Sequence, residues 1–206
     1  PGGWAPPGPV PPGMPPGPPR AGKPKTGLIV VLLGGFMVLV LAGAGVFFAL
    51  NAGPEWEVNA PGVAGGLEKT DATAGESPVF NSISTAVRRG DFKENSSATA
   101  IYRSPGTGGN LLLFAGTGKI GDPEDFLRKA RPLYTLQTSP IWSSGDDTKE
   151  VCGTYRLIVR TMMYCAWATS SSYGFIAPDT PITIADYSDL KILMGRMRSD
   201  VQTKAD

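Results

Sequence analysis

The chain has no histidine and only two cysteines in 206 residues. The first absence removes the imidazole base, the His-dependent triad and the His-ligated metal. Two thiolates without histidine supply too few soft ligands for zinc. An excess of charge of either sign is also missing. Lys and Arg number 19 and Asp and Glu 18. Within residues 81–206 the count is 15 against 13, a net +2, which gives no electrostatic case for nucleic acid. No metal site, cofactor site or catalytic group is therefore expected, and the chain does not read as an enzyme.

One stretch has no charge at all. Gly27 to Leu50 reads GLIVVLLGGFMVLVLAGAGVFFAL. As a helix it would be about 36 Å long, enough for a hydrocarbon core of about 30 Å. Arg20, Lys23 and Lys25 precede it, whereas Glu55 and Glu57 follow and no cation comes before Lys69. Positive flanks stay inside, so the expected topology is a plasma-membrane span with its N-terminus cytoplasmic and its C-terminal part extracytoplasmic. The rival reading is a cleaved signal peptide at Ala42-Gly43-Ala44, but this apolar run exceeds the usual 7–15 residue signal core. With no ionisable residue the run is an anchor and not a transport path. Gly45 and Ala49 form a small-xxx-small pair, a spacing that allows weak self-association. The first residue is Pro1 and not Met, so the chain is expected to be a fragment.

The anchor divides the chain. Residues 1–26 hold eleven Pro and six Gly, a composition that favours solvated polyproline II and disorder. P-x-x-P spacings such as Pro6 to Pro9, with Trp4 beside them, suit an aromatic-lined groove, although low complexity produces such spacings by chance. Residues 51–80 are rich in Gly, Ala and Thr, with five acids against one Lys, and read as a flexible stalk. Residues 81–206 are long enough for one core.

Within that last part, Ala98–Arg103 and Leu111–Ala115 read as strands around the turn Pro105–Asn110. Asp122-Pro123 starts a helix that stops near Ala130. A second strand pair is expected at Tyr155–Thr169 and Tyr173–Ala177, with a turn at Ser170–Ser172. A closing helix from Asp186 presents Leu190, Leu193, Met194, Met197 and Val201 on one face. Two strand–strand–helix units imply an α+β extracytoplasmic domain with a mainly antiparallel sheet. Cys152 and Cys165 are expected to form a disulfide in an oxidising exterior, worth about 3 kcal/mol for a loop of about 14 residues; the alternative is a pair of free thiols.

Cys152-Gly153, Tyr164-Cys165-Ala166-Trp167-Ala168, Tyr173-Gly174-Phe175, Gly121-Asp122-Pro123 and the terminal Met197–Val201 helix carry a resemblance. Together with the layout, they resemble a group of actinobacterial single-pass membrane proteins of uncharacterised function. Those have a Pro/Gly-rich cytoplasmic head and an extracytoplasmic C-x-W-A domain. Thr169 stands where that group commonly has Asp. The resemblance covers about residues 115–203 and implies topology and a disulfide, not chemistry.

Three motifs invite chemistry. Gly116 to Gly121 spells G-x-G-x-x-G, but a dinucleotide fold wants the helix to begin inside the motif, and Asp122 and Glu124 would repel phosphate. Ser188 to Lys191 spells S-x-x-K without partner motifs. Asp146 and Asp147 are too few carboxylates for a calcium shell. Trp167 is expected in the core. Trp142, following Pro140 in a long loop, is the candidate partner contact. The expected function is an extracytoplasmic binding or sensing module for an envelope component or protein. The alternatives are an assembly role through the Pro-rich head, then an envelope hydrolase.

Overall fold

The structure, a computed structural model, describes residue 3 and residues 56–103, 109–145, 147–179 and 187–204. The chain divides into two compact units, 1–50 and 51–206. The expected Pro/Gly-rich head (1–26) and membrane span (27–50) lie outside the described residues, Gly3 apart. Among the described residues no helix is long and apolar enough to cross a membrane.

The second unit opens with three short strands, β1 (Trp56–Val58), β2 (Val63–Ala64) and β3 (Leu67–Lys69). A 3₁₀ turn (Ala74–Glu76) leads into helix α1 (Phe80–Arg89). Strands β4 (Lys93–Arg103) and β5 (Asn110–Lys119) follow, then α2 (Pro123–Lys129), β6 (Thr135–Thr138) and β7 (Trp142–Ser143). A three-stranded meander comes next: β8 (Lys149–Leu157), β9 (Arg160–Ala168) and β10 (Ser172–Pro178). Helix α3 (Tyr187–Val201) and β11 (Gln202–Lys204) close the described chain.

The sheet has the order β2-β3-β4-β5-β10-β9-β8-β6, with β7 also on β8. Every pairing in it is antiparallel. β1 and β11 form a separate antiparallel ribbon. Both faces of the central strands are covered, which is why β10 is buried from end to end. One face packs Val79, Ile83, Phe126 and Leu127 from α1, α2 and their flanks against Tyr164 and Phe175. The other packs Leu190, Met194 and Met197 of α3 against Cys165, Trp167 and Ile176.

These observations correct the expected fold. Two successive strand–strand–helix units on an α+β plan are not what forms. β5 pairs with β10, and α2 packs on β8 and β9 of the other half, so the halves interleave in one mostly antiparallel β domain. The expected long strand Tyr155–Thr169 is two strands joined by Ile158-Val159. Two β-branched residues look like strand interior, so no turn chemistry marks the reversal. Residues 56–80, expected as a stalk, belong to the folded domain. Their strands are only two or three residues long, and the β2–β3 reversal uses Gly65 and Gly66 at φ 62° and 79°. Such short pieces leave little periodicity to read.

Local chemistry accounts for the clearer elements. Asp122 caps α2, its Oδ1 accepting from the Glu124 and Asp125 amides at 2.8 and 3.2 Å, with Pro123 in the first turn. Cys152 and Cys165 face each other across β8 and β9 with Cα atoms 4.0 Å apart, and they are joined as a disulfide beneath α3. Gly174 pairs with Trp167, and a Cβ there would lie 2.1 Å from the indole ring, so only glycine lets the tryptophan lie flat on β10.

Candidate functional site

Trp142 lies on β7, half-buried. Its Nε1 donates to Glu150 Oε2 at 2.8 Å, and Lys191 Nζ sits 4.2 Å from its ring centroid. Glu150 is 5% exposed and also accepts from Ser144 Oγ. Arg198 of α3 approaches that carboxylate at 3.6 Å, donating as well to Thr148 Oγ1 at 2.6 Å and Gln202 Oε1 at 3.1 Å. Gln202 accepts in turn from Trp167 Nε1 and donates to Ser172 Oγ. This chain of bonds ties α3 and β11 to the sheet, and it engages the indole N–H that a partner would otherwise meet. Lys191, from the S-x-x-K match, therefore stacks on Trp142, 4.2 Å from its ring centroid.

The first two glycines of the G-x-G-x-x-G match fall on a strand, and Gly121 follows it. Gly116 and Gly118 lie inside β5, where a Cβ would come within 2.5 Å of the Ser96 carbonyl and 2.3 Å of the Lys93 carbonyl. These glycines serve close strand approach and form no phosphate loop. Asp147 is exposed and Asp146 lies outside the described residues. No group of three or more metal-ligating side chains occurs among the described residues. A hollow of about 570 Å³ between Gly121, Ser143, Asp147, Lys149 and Ser170 opens to solvent, and Lys149 Nζ there donates to Ser143 Oγ at 2.8 Å.

The opposite end of the sheet differs. Of the large apolar side chains exposed among the described residues, Leu133, Tyr134, Leu136, Ile158 and Val159 gather there. Ile158 and Val159 are each 87% exposed and Tyr134 is 77% exposed. The two segments are joined: Arg156 N donates to the Tyr134 carbonyl at 3.0 Å, and Thr135 pairs with Tyr155. Leu136 falls where the β6–β8 register shifts.

Of the three non-glycine residues with positive φ among those described, two lie at this end and the third, Asp91 at φ 53°, follows α1. Ile158 has φ 57° and Tyr134 φ 59°. The left-handed region costs an L-residue roughly 1–2 kcal/mol, and for a β-branched or bulky side chain it is an outlier. A two-residue hairpin with positive φ at its first central position ordinarily carries glycine there. Here the strained positions hold large apolar side chains aimed at solvent, so neither folding energy nor solubility explains them. Local rules fail together mainly at functional sites.

Cations border this tip. Arg156 and Arg160 are exposed and, by strand alternation, project from opposite faces of the hairpin. Beside it is a hollow of about 300 Å³ lined by Pro78, Leu157, Ile158, Val159, Met162 and Asp179, with Arg160 at its wall. The Asp179 carboxylate accepts from Asn110 N and Nδ2, both at 3.0 Å. Sequence reasoning placed the candidate contact at Trp142 and passed over this tip. The available signal was an apolar pair bracketed by arginines, Arg156-Leu157-Ile158-Val159-Arg160, inside an apparent strand. No family model matches the chain, and no curated protein or solved structure matches it either.

Proposed function

We propose that residues 56–204 form an extracytoplasmic binding module at the cell envelope, and that its binding surface is the apolar end built by Leu133, Tyr134, Ile158 and Val159. The observation that carries this reading is the coincidence of strain and exposure at Ile158 and Tyr134. β1, the first strand of the domain, lies at the other end: Val58 pairs with Gln202, whose side chain reaches Trp167 and Ser172. Among the described residues, no other element of the domain covers the apolar end.

The buried Cys152–Cys165 bridge supports an oxidising compartment. The uncharged run Gly27–Leu50 and its cationic N-terminal flank support attachment at the plasma membrane, and the resemblance to actinobacterial envelope proteins supports the same placement. The test is site-specific photo-crosslinking in intact cells. A photoreactive residue replacing Tyr134 in the full chain gives an adduct, and one at exposed Lys119, at the other end of the sheet, gives none. Absence of any adduct from position 134 overturns the reading.

A further inference from the structure

Resting on that reading, we propose that the tip Ile158-Val159, with Tyr134 and Leu133 beside it and Arg156 and Arg160 as its collar, docks on an anionic lipid surface.

Shape is the first argument. The apolar side chains stand on a two-residue turn and an adjoining loop, so they protrude from the sheet end, with the hollow confined to one flank of the turn. Four such side chains offer roughly half of the about 800 Å² that each partner contributes to a stable protein interface. A bilayer interface has no such threshold, because it closes around any protruding apolar group and adds affinity with each one. Tyrosine is also a residue of the membrane–water boundary, its ring apolar and its hydroxyl wet.

Charge is the second. Arg156 and Arg160 flank the apolar pair at the height where headgroup phosphates would lie if Ile158 and Val159 entered the acyl boundary. The acid lining this hollow among the described residues, Asp179, already receives both Asn110 donors. A second copy of the chain fits poorly, since an isologous tip-to-tip contact would bring four arginines together. Each arginine near an anionic surface contributes about a fivefold gain in partitioning.

The full chain is tested while held in phosphatidylcholine nanodiscs, so that the run Gly27–Leu50 is already in lipid. It is mixed with sedimentable vesicles of phosphatidylglycerol or of phosphatidylcholine. The expected result is sedimentation with the anionic vesicles, falling about fivefold for Arg156→Ala or Arg160→Ala and falling again in high salt. Ile158→Gly with Val159→Asn abolishes it while the fold is retained, because that pair suits the turn better than the native one. Sedimentation with neither vesicle overturns the proposal, as does equal sedimentation with both or binding that survives Ile158→Gly/Val159→Asn. A chain that ignores vesicles yet gives a protein adduct from position 134 overturns the lipid assignment and leaves the binding-surface reading standing. A chain that gives neither overturns both.

Discussion

Replacing Ile158-Val159 with Gly-Asn is expected to make the protein more stable. The native turn holds isoleucine at φ 57°. Relieving that conformation returns roughly 1–2 kcal/mol. Glycine gives back part of it through the extra freedom of the unfolded chain, about 0.5–1 kcal/mol. Little packing is lost, since both side chains are 87% exposed. The net expectation is a gain of about 0.5–1 kcal/mol, or about 1–4 °C in Tm for a domain of this size. The assay is thermal and denaturant unfolding of the full chain in one fixed detergent, with the fluorescence of buried Trp167 contributing to the signal and the denaturant slope required to stay constant. Ile158→Val is the control: it keeps a β-branched residue in the left-handed region and should gain nothing. A midpoint that is unchanged or lower in the Gly-Asn variant refutes the reasoning, because the native pair would then be serving the fold itself.

Gly174→Ala should destabilise by about 1–3 kcal/mol, since its Cβ would lie 2.1 Å from the Trp167 ring in a full core; a loss under about 0.5 kcal/mol in chemical denaturation would contradict that packing. Arg198→Met leaves Glu150 buried with only Trp142 and Ser144 as donors and should cost about 2–3 kcal/mol, and adding Glu150→Gln should recover part of it in a double-mutant cycle. Reducing the Cys152–Cys165 bridge, or replacing both residues with alanine, should cost roughly 3 kcal/mol, read from the denaturant midpoint. Alkali should also weaken the fold. Tyr102, whose hydroxyl donates to the Pro61 carbonyl, is pushed up to about 12, first by burial and then by Asp200. Burial likewise raises Tyr155 and Tyr173. Groups raised in the fold keep their full stabilising effect below the ordinary phenol value of 10 and lose it as pH climbs toward the raised values, so the midpoint should hold to about pH 10 and then fall.

What the sequence made legible was local and strongly marked. Asp122-Pro123 announced α2, and the spacing of Leu190, Met194, Met197 and Val201 announced the buried face of α3. The cysteine pair was readable because two thiols beyond an apolar run have one economical fate. What stayed hidden depended on tertiary pairing. Helix α1 is built on Asn81, Ser82, Ser84 and Thr85, which are weak helix formers, and packing of Ile83 and Val87 overrides their propensity. The pairing of β5 with β10 joins residues about 60 positions apart, and neither strand carries a local signal for its neighbour. The tip itself was hidden for the reason that makes it a candidate: Ile158 and Val159 disobey turn chemistry, so pattern reading runs straight through them.

Hydrogen–deuterium exchange of the whole chain, with and without envelope membranes from its own cells, tests the central claim most directly. The account predicts added protection confined to peptides spanning about 131–137 and 156–161, where Tyr134, Arg156, Ile158, Val159 and Arg160 lie. Protection centred instead on the Ser143–Lys149 hollow beside Trp142, or no protection anywhere, would contradict it.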